Sequence, residues 1–228
     1  MGATAFILAA GLGTRLRPLT LATPKPLLPV GGVPMLDRVL AHVRAHGHRE
    51  VVVNAHWLAD QVVAWAAEQP GVTVLVETPD ILGTGGGLRN ARPWLAERFV
   101  VVNGDILCDV DLDVLWQVDA PAVMALRPQA TPVHTGVALD ATGVVRGIAG
   151  VVGEADTRLH FTGVHVLSRA ALDHVPPTGP ACIVRSAYRA LIPRGDVRGI
   201  VHHGAWTDIG TPEEYAAANA RHEQNAAV

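Results

Sequence analysis

The sequence predicts an α/β protein: a Rossmann-like, mixed but mostly parallel sheet flanked by helices. Three observations lead there. Residues 4–9 and 99–102 are apolar runs without polar alternation, which suits strands buried on both faces. Between the early strands, apolar residues recur at helical spacing. The resulting order of strand, helix, strand, helix, strand requires parallel pairing through right-handed crossovers. Ligands of such sheets sit beyond the carboxyl ends of the strands.

The first strand, residues 4–9, stops at Gly11 and Gly13. Residues 34–46 read as a helix, with Met35, Leu36, Val39, Leu40 and Val43 on one face and Gly47 ending it. Glu50–Asn54 is the second strand. Leu58, Val62, Trp65 and Ala66 mark a second helix over 57–68, and Val72–Glu77 is the third strand. Asn54 and His56 are assigned to the start of that helix, and Glu77 is a strand-end carboxylate. Leu82-Gly83-Thr84-Gly85-Gly86-Gly87 opens a helix at about 86–95. Three consecutive glycines are not chosen for helix propensity; they let a flat ligand lie against backbone, and a tight loop is the plainer reading.

Phe99–Asn103 is a buried strand ending in Gly104-Asp105. Asp109, Asp111 and Asp113 alternate, but the glycine and final glutamate of a calcium loop are missing. They read as a solvated loop before a short helix at 111–117. Ala122–Arg127 is another strand. Residues 134–168 turn strand-rich, over His134–Asp140, Val144–Ala149 and Arg158–Ser168, and form a small antiparallel insertion. A helix at about 182–192 and a strand at 197–202 follow. Thr211 caps the last helix, Pro212 takes its first position and Glu214 completes a capping box.

The length suits one domain, 1–228, with ample core. No apolar run nears the ~20 residues of a membrane span. The apolar start lacks a charged leader, so neither a span nor a signal peptide is expected. Cys108 and Cys182 lack metal or redox spacing, which fits a reducing cytoplasm. A net charge of −3 leaves no broad basic surface for nucleic acid. The eleven histidines contain no His-Glu-x-x-His, and His202-His203 decorate a strand end.

Against that background the cations Arg15, Arg17 and Lys25 are a local concentration. Lys25 is the only lysine beside seventeen arginines, and it stands between Pro24 and Pro26. A compact ammonium suits one oxygen of a phosphate chain. Walker A does not occur. The dinucleotide fingerprint is half matched, with Leu16 at its third glycine and Pro18 interrupting the helix it must open. What remains is a phosphate loop of another kind, with a structural turn carrying solvated arginines as the alternative. Asp105, after a glycine at a strand's carboxyl end, stands where a Mg²⁺ ligand belongs if phosphates occupy the neighbouring loop.

Gly11-Leu-Gly-Thr-Arg-Leu-Arg-Pro-Leu-Thr20 with Thr23-Pro24-Lys25-Pro26 resembles the signature of sugar-1-phosphate nucleotidyltransferases. Weaker likeness extends to about Tyr215. The resemblance implies a mainly nucleotide-binding half, 1–127, and a mainly sugar-binding half, 128–228. It implies triphosphate contacts at Ala10, Gly11, Leu12, Gly13, Thr14, Arg15 and Lys25. Base-side contacts are implied at Gly85 and Gly86, further nucleotide contacts at Asn103 and Gly104, and sugar contacts at Gly136, Thr162 and Gly163. Asp105 and Asp208, the latter in Trp206-Thr207-Asp208-Ile209-Gly210-Thr211, would be the metal carboxylates. Arg15, Lys25, Asp105 and Asp208 form the expected catalytic set.

The partners expected are a nucleoside triphosphate and a sugar 1-phosphate, with Mg²⁺ as cofactor and a monomer or small homo-oligomer as assembly. Most relatives carry Glu-Lys-Pro between the sugar-side strands. Here that stretch reads Arg146-Gly-Ile-Ala-Gly-Val151, without lysine. That departure, the glycine-rich base loop and the size resemble N-acetylmuramate-1-phosphate uridylyltransferases. Mannose-1-phosphate guanylyltransferases rank second and phosphocholine cytidylyltransferases third; a non-catalytic nucleotide sensor is the alternative from another class. No hexapeptide repeats follow the last helix, so no appended acyltransferase domain is expected.

Overall fold

The computed structural model describes residues 2–129, 134–154 and 158–226. A seven-stranded sheet runs in the spatial order Val197–Val201, Ala122–Pro128, Leu159–Ser168, Leu95–Asn103, Ala3–Leu8, Val51–Ala55, Val72–Val76. Leu159–Ser168 runs against both neighbours; every other pairing in the sheet is parallel. This is the mixed, mostly parallel α/β sheet that the apolar runs predict.

Successive strand residues point to opposite faces, so each strand feeds two cores. Phe6 joins Leu88, Phe99 and Tyr188 on one face, while Ile7 joins Leu36, Val53 and Val62 on the other. Every residue of Val51–Ala55 is buried, as a strand covered on both sides requires. Helices Met35–Ala45 and Ala59–Ala67 lie within two residues of their expected bounds. Among the described residues, no helix is long and apolar enough to cross a membrane.

Three expectations are corrected. Leu159–Ser168 is not part of the insertion but a ten-residue strand inside the main sheet. Its strand character is legible in the sequence, its place in the main sheet is not. His160 and His165 are both buried, and His165 Nδ1 shares a 2.6 Å hydrogen bond with the Tyr188 hydroxyl. Burial holds the His165 pKa down to about 3, so the ring stays neutral in the core. The insertion proper is the pair Val137–Leu139 and Val145–Ile148.

The glycine-rich helix begins earlier than expected, at Gly83, and runs to Ala91; Gly83 itself has φ +69°. Gly85, expected just ahead of the helix, therefore lies within it together with Gly86 and Gly87. The segment expected as one helix at 182–192 is a π-helical turn, Val184–Tyr188, followed by Arg189–Leu191 and a 3-10 turn, Ile192–Arg194.

The register lines up the strand ends that matter. Leu8 faces Asn54 on one side and Asn103 on the other. Gly104 N donates to Leu8 O at 2.8 Å, closing the gap between the two chain exits. A Cβ on Gly104 would lie 2.9 Å from that same oxygen, so glycine is required for the approach. Farther along, Trp206–Asp208 pairs antiparallel with Ile106–Cys108, placing Asp208 opposite Ile106.

Candidate active site

The loop after the first strand is fixed by its own contacts. Gly13 adopts φ 61°, and its carbonyl accepts from Thr20 Oγ1 at 2.8 Å. A Cβ there would strike Thr20 Cγ2 at 2.8 Å, so the turn needs glycine twice over. Pro24 and Pro26 flank Lys25 in a 3-10 turn, Lys25–Leu27. Lys25 is buried, and its Nζ donates to Asp105 Oδ2 at 2.5 Å. Asp208 arrives from the other direction: Ile209 N donates to Asp105 O at 3.1 Å, which holds the two acidic residues side by side.

Asp208 carries the electrostatic signature of the site. Desolvation pushes its carboxyl pKa up, and the neighbouring Asp105 charge pushes it further; Lys25 and Arg15 act in the opposite sense. Arg15 is exposed, and its guanidinium lies against Gly210, where an added Cβ would be 2.8 Å from Nη2. The four residues of the expected catalytic set therefore converge on one place.

A carboxyl whose folded pKa is raised binds its proton more tightly in the native than in the unfolded chain. Stability is therefore lost as pH rises from the ordinary carboxylate range through the raised value. Asp208→Asn removes that penalty. Its melting temperature at pH 7 is expected to rise by roughly 1–2 °C, since solvent screening at a half-exposed group keeps the gain small. Calorimetry of both proteins at pH 7 checks this; a lower melting temperature for Asp208→Asn would mean that the carboxylate is net stabilising.

A cavity of about 190 Å³ opens beside this centre, lined by Ala10, Gly11, Lys25, Asn54, Thr84 and Asp105 among others. Asn103 and Gly104 also line it. Leu12 and Thr14 are exposed on the rim of the loop. Gly85 and Gly86 are buried, and their amides donate to Ala181 O at 2.8 and 3.2 Å, so Gly83 and Thr84 form the cavity wall instead. Gly163 has φ +84° beside Asn103, whose Nδ2 would meet a Cβ at 2.6 Å. Thr162 is buried: its hydroxyl donates to Ala125 O, and its carbonyl accepts from Trp206 Nε1. Gly136 pairs with His160 through an isolated antiparallel bridge.

Two residues read in the sequence as local features, Asn54 and Glu77, are joined beside the cavity. Asn54 is buried, accepts from Ala9 N at 2.8 Å and donates to Glu77 Oε1 at 2.7 Å. Glu77, equally buried, accepts from Leu82 N at 2.7 Å. Both end apolar strands, the same signal that singles out Asp105. The alternating aspartates divide their roles: Asp111 caps helix Leu112–Gln117 through the amides of Asp113 and Val114, while Asp109 lies 3.0 Å from His202.

"N-acetylmuramate alpha-1-phosphate uridylyltransferase" of Neisseria meningitidis is 32% identical over 220 residues, covering 91% of this chain and 93% of that protein. "Mannose-1-phosphate guanylyltransferase" of Mycobacterium tuberculosis is 30% identical over 227 residues; the match covers 95% of this chain but only 63% of the relative. The crystal structure of HddC from Yersinia pseudotuberculosis superposes with a TM-score of 0.79, covering 96% of this chain and 99% of that one; at 24% identity this shows the shared fold. Residues 5–191 match the family model described as MobA-like NTP transferase domain, and the chain belongs to that nucleotidyltransferase family.

Proposed function

We propose that the protein transfers a nucleotidyl group from a nucleoside triphosphate to a sugar 1-phosphate. The observation that carries this reading is the meeting of Lys25, Asp105 and Asp208 beside a glycine-walled cavity. An oxygen of the sugar 1-phosphate attacks the α-phosphorus, the bond to the β-phosphate breaks, and pyrophosphate leaves with the electron pair. No protein nucleophile is required, so catalysis is positioning and charge neutralisation.

In this reading the backbone of Ala10–Thr14 holds the triphosphate and Arg15 faces the departing pyrophosphate. Lys25 bridges the α-phosphate and the incoming phosphate. Asn103 and Gly104 border the nucleotide, as do Gly85 and Gly86 through the helix they form. The main chain at Gly136, Thr162 and Gly163 approaches the sugar. Asp105 and Asp208 suit Mg²⁺: both offer hard oxygen donors, and the raised Asp208 carboxyl beside Asp105 is an imbalance that a divalent cation relieves. The bound ion would supply neutralisation of the phosphate charges. Asp105 and Asp208 would hold it, and the Lys25 ammonium fixes the orientation of the Asp105 carboxylate.

For substrates, UTP and N-acetylmuramate 1-phosphate are the first choice. They are supported by the neisserial relative matched over nearly its whole length and by the missing Glu-Lys-Pro. GTP with mannose 1-phosphate is the second, supported by the mycobacterial relative. A matrix of four nucleoside triphosphates against sugar 1-phosphates, read by pyrophosphate release, tests both. The highest kcat/KM is expected for UTP with N-acetylmuramate 1-phosphate. A maximum at another pair replaces the substrate assignment, and no pyrophosphate from any pair overturns the transfer reaction.

A further inference from the structure

A second cavity, of about 340 Å³, adjoins the first. The segment 181–185 lies between them. Ile183 N donates to Thr84 Oγ1 at 3.0 Å, and Ala181 O takes the amides of Gly85 and Gly86. On the far side Phe161 lines the second cavity, two residues before Gly163, which touches Asn103 of the first. The second cavity thus flanks the first across Thr84 and Asn103, and Thr135 and Val137 on its wall bracket Gly136, where the sugar is expected.

Its wall is largely apolar, with Met124, Val137, Ile148 and Phe161. Among the described residues that line it, Arg185 is the one with a formal charge. The guanidinium is exposed, with no hydrogen bond or ion pair among the described residues. The neighbouring arginines are engaged: Arg146 is held by Asp140 at 2.7 Å, and Arg127 lies over the Trp206 ring at 5.7 Å. Arg146 begins the stretch that lacks lysine, so its pairing leaves that stretch without a free cation.

The backbone around Arg185 is unusual. Val184–Tyr188 forms a π-helical turn, and such turns are rare and concentrate at functional sites. Both ends are pinned, by Ile183 N to Thr84 and by the buried Tyr188 hydroxyl to His165. The turn therefore fixes where Arg185 stands although no described residue holds its tip.

Building on the sugar 1-phosphate reading, we propose that Arg185 is the specificity-determining cation of the acceptor cavity, and that the acceptor carries a carboxylate besides its 1-phosphate. A guanidinium fork matches a carboxylate with two parallel hydrogen bonds, which a neutral hydroxyl cannot reproduce. The apolar wall accommodates the carbon face of the same sugar. An acidic ether or a uronic acid both meet this description.

The test measures kcat and KM with each of four nucleoside triphosphates on two matched acceptor pairs. N-acetylmuramate 1-phosphate is set against N-acetylglucosamine 1-phosphate, and glucuronate 1-phosphate against glucose 1-phosphate. The unaltered enzyme is expected to prefer the acid in at least one pair. Arg185→Gln is expected to raise KM for that acid about 10- to 100-fold and to leave the neutral partner within about twofold. Arg185→Lys should recover part of the loss, and melting curves of both variants should match the parent. Preference for the neutral member of both pairs overturns the inference, as does an equal loss on acid and neutral acceptors. An Arg185-dependent preference for an acid with a triphosphate other than UTP upholds it and removes only the uridylyl assignment. No turnover of any pair overturns the transfer reading and this inference with it.

Discussion

Lys25→Ala is expected to lower kcat by about 10²–10³-fold, the range seen when one preorganised charge donor is removed from a transition state. The loss should fall mainly on kcat because the bridge between the α-phosphate and the incoming phosphate tightens as the two groups close on each other in the transition state. The side chain is buried, its Nζ is 2.5 Å from Asp105, and its Cβ is part of the packing around Gly13. Lys25→Arg is expected to restore little, because a planar guanidinium does not fit a buried slot shaped for a point charge. Asp105→Ala should be as damaging, since it takes the partner from the Lys25 ammonium and leaves Asp208 as the one expected metal carboxylate. Single-turnover rates at saturating substrate measure the effect, and melting curves separate it from unfolding. Near-parental rates in either alanine variant would remove these residues from the mechanism.

Much of this site is legible in the sequence, for a physical reason. Gly11, Gly13, Lys25 and Asp105 belong to strand ends and the turns beside them, and there apolar runs and glycine or proline punctuation are unambiguous. The pairing of Asp208 with that cluster comes from the family resemblance alone. It arises through a three-residue strand pairing, Trp206–Asp208 with Ile106–Cys108, that no periodicity reveals. Leu159–Ser168 reads as a strand in the sequence, but its place between two strands of the main sheet is a tertiary pairing that no local pattern reveals. The π-turn at Val184–Tyr188 reads as ordinary helix because a single shifted turn leaves composition unchanged. Asn54 and Glu77 look like local features in the sequence; their bond is tertiary, joining the ends of two adjacent parallel strands.

That same bond makes Gly87→Ala a sharp discriminator between local propensity and tertiary packing. Gly87 lies inside helix Gly83–Ala91, where alanine would normally gain about 1 kcal/mol over glycine. Here an added Cβ would stand 2.7 Å from both Asn54 Nδ2 and Glu77 Oε1. Neither group can step aside cheaply. Asn54 also holds Ala9 N, Glu77 also holds Leu82 N, and both side chains are buried. Moving them strands polar groups, at about 1–3 kcal/mol apiece and more for a carboxylate. The balance is a net destabilisation of roughly 2–4 kcal/mol, a fall of roughly 5–15 °C in melting temperature for a chain of this size. Because Asn54 lines the first cavity, KM for the triphosphate should rise as well. Glu77→Ala removes one of the two obstacles, so Gly87→Ala is expected to cost less in that background than alone. A melting temperature raised by Gly87→Ala would show that the carboxamide–carboxylate pair yields without loss, and that helix propensity governs this glycine after all.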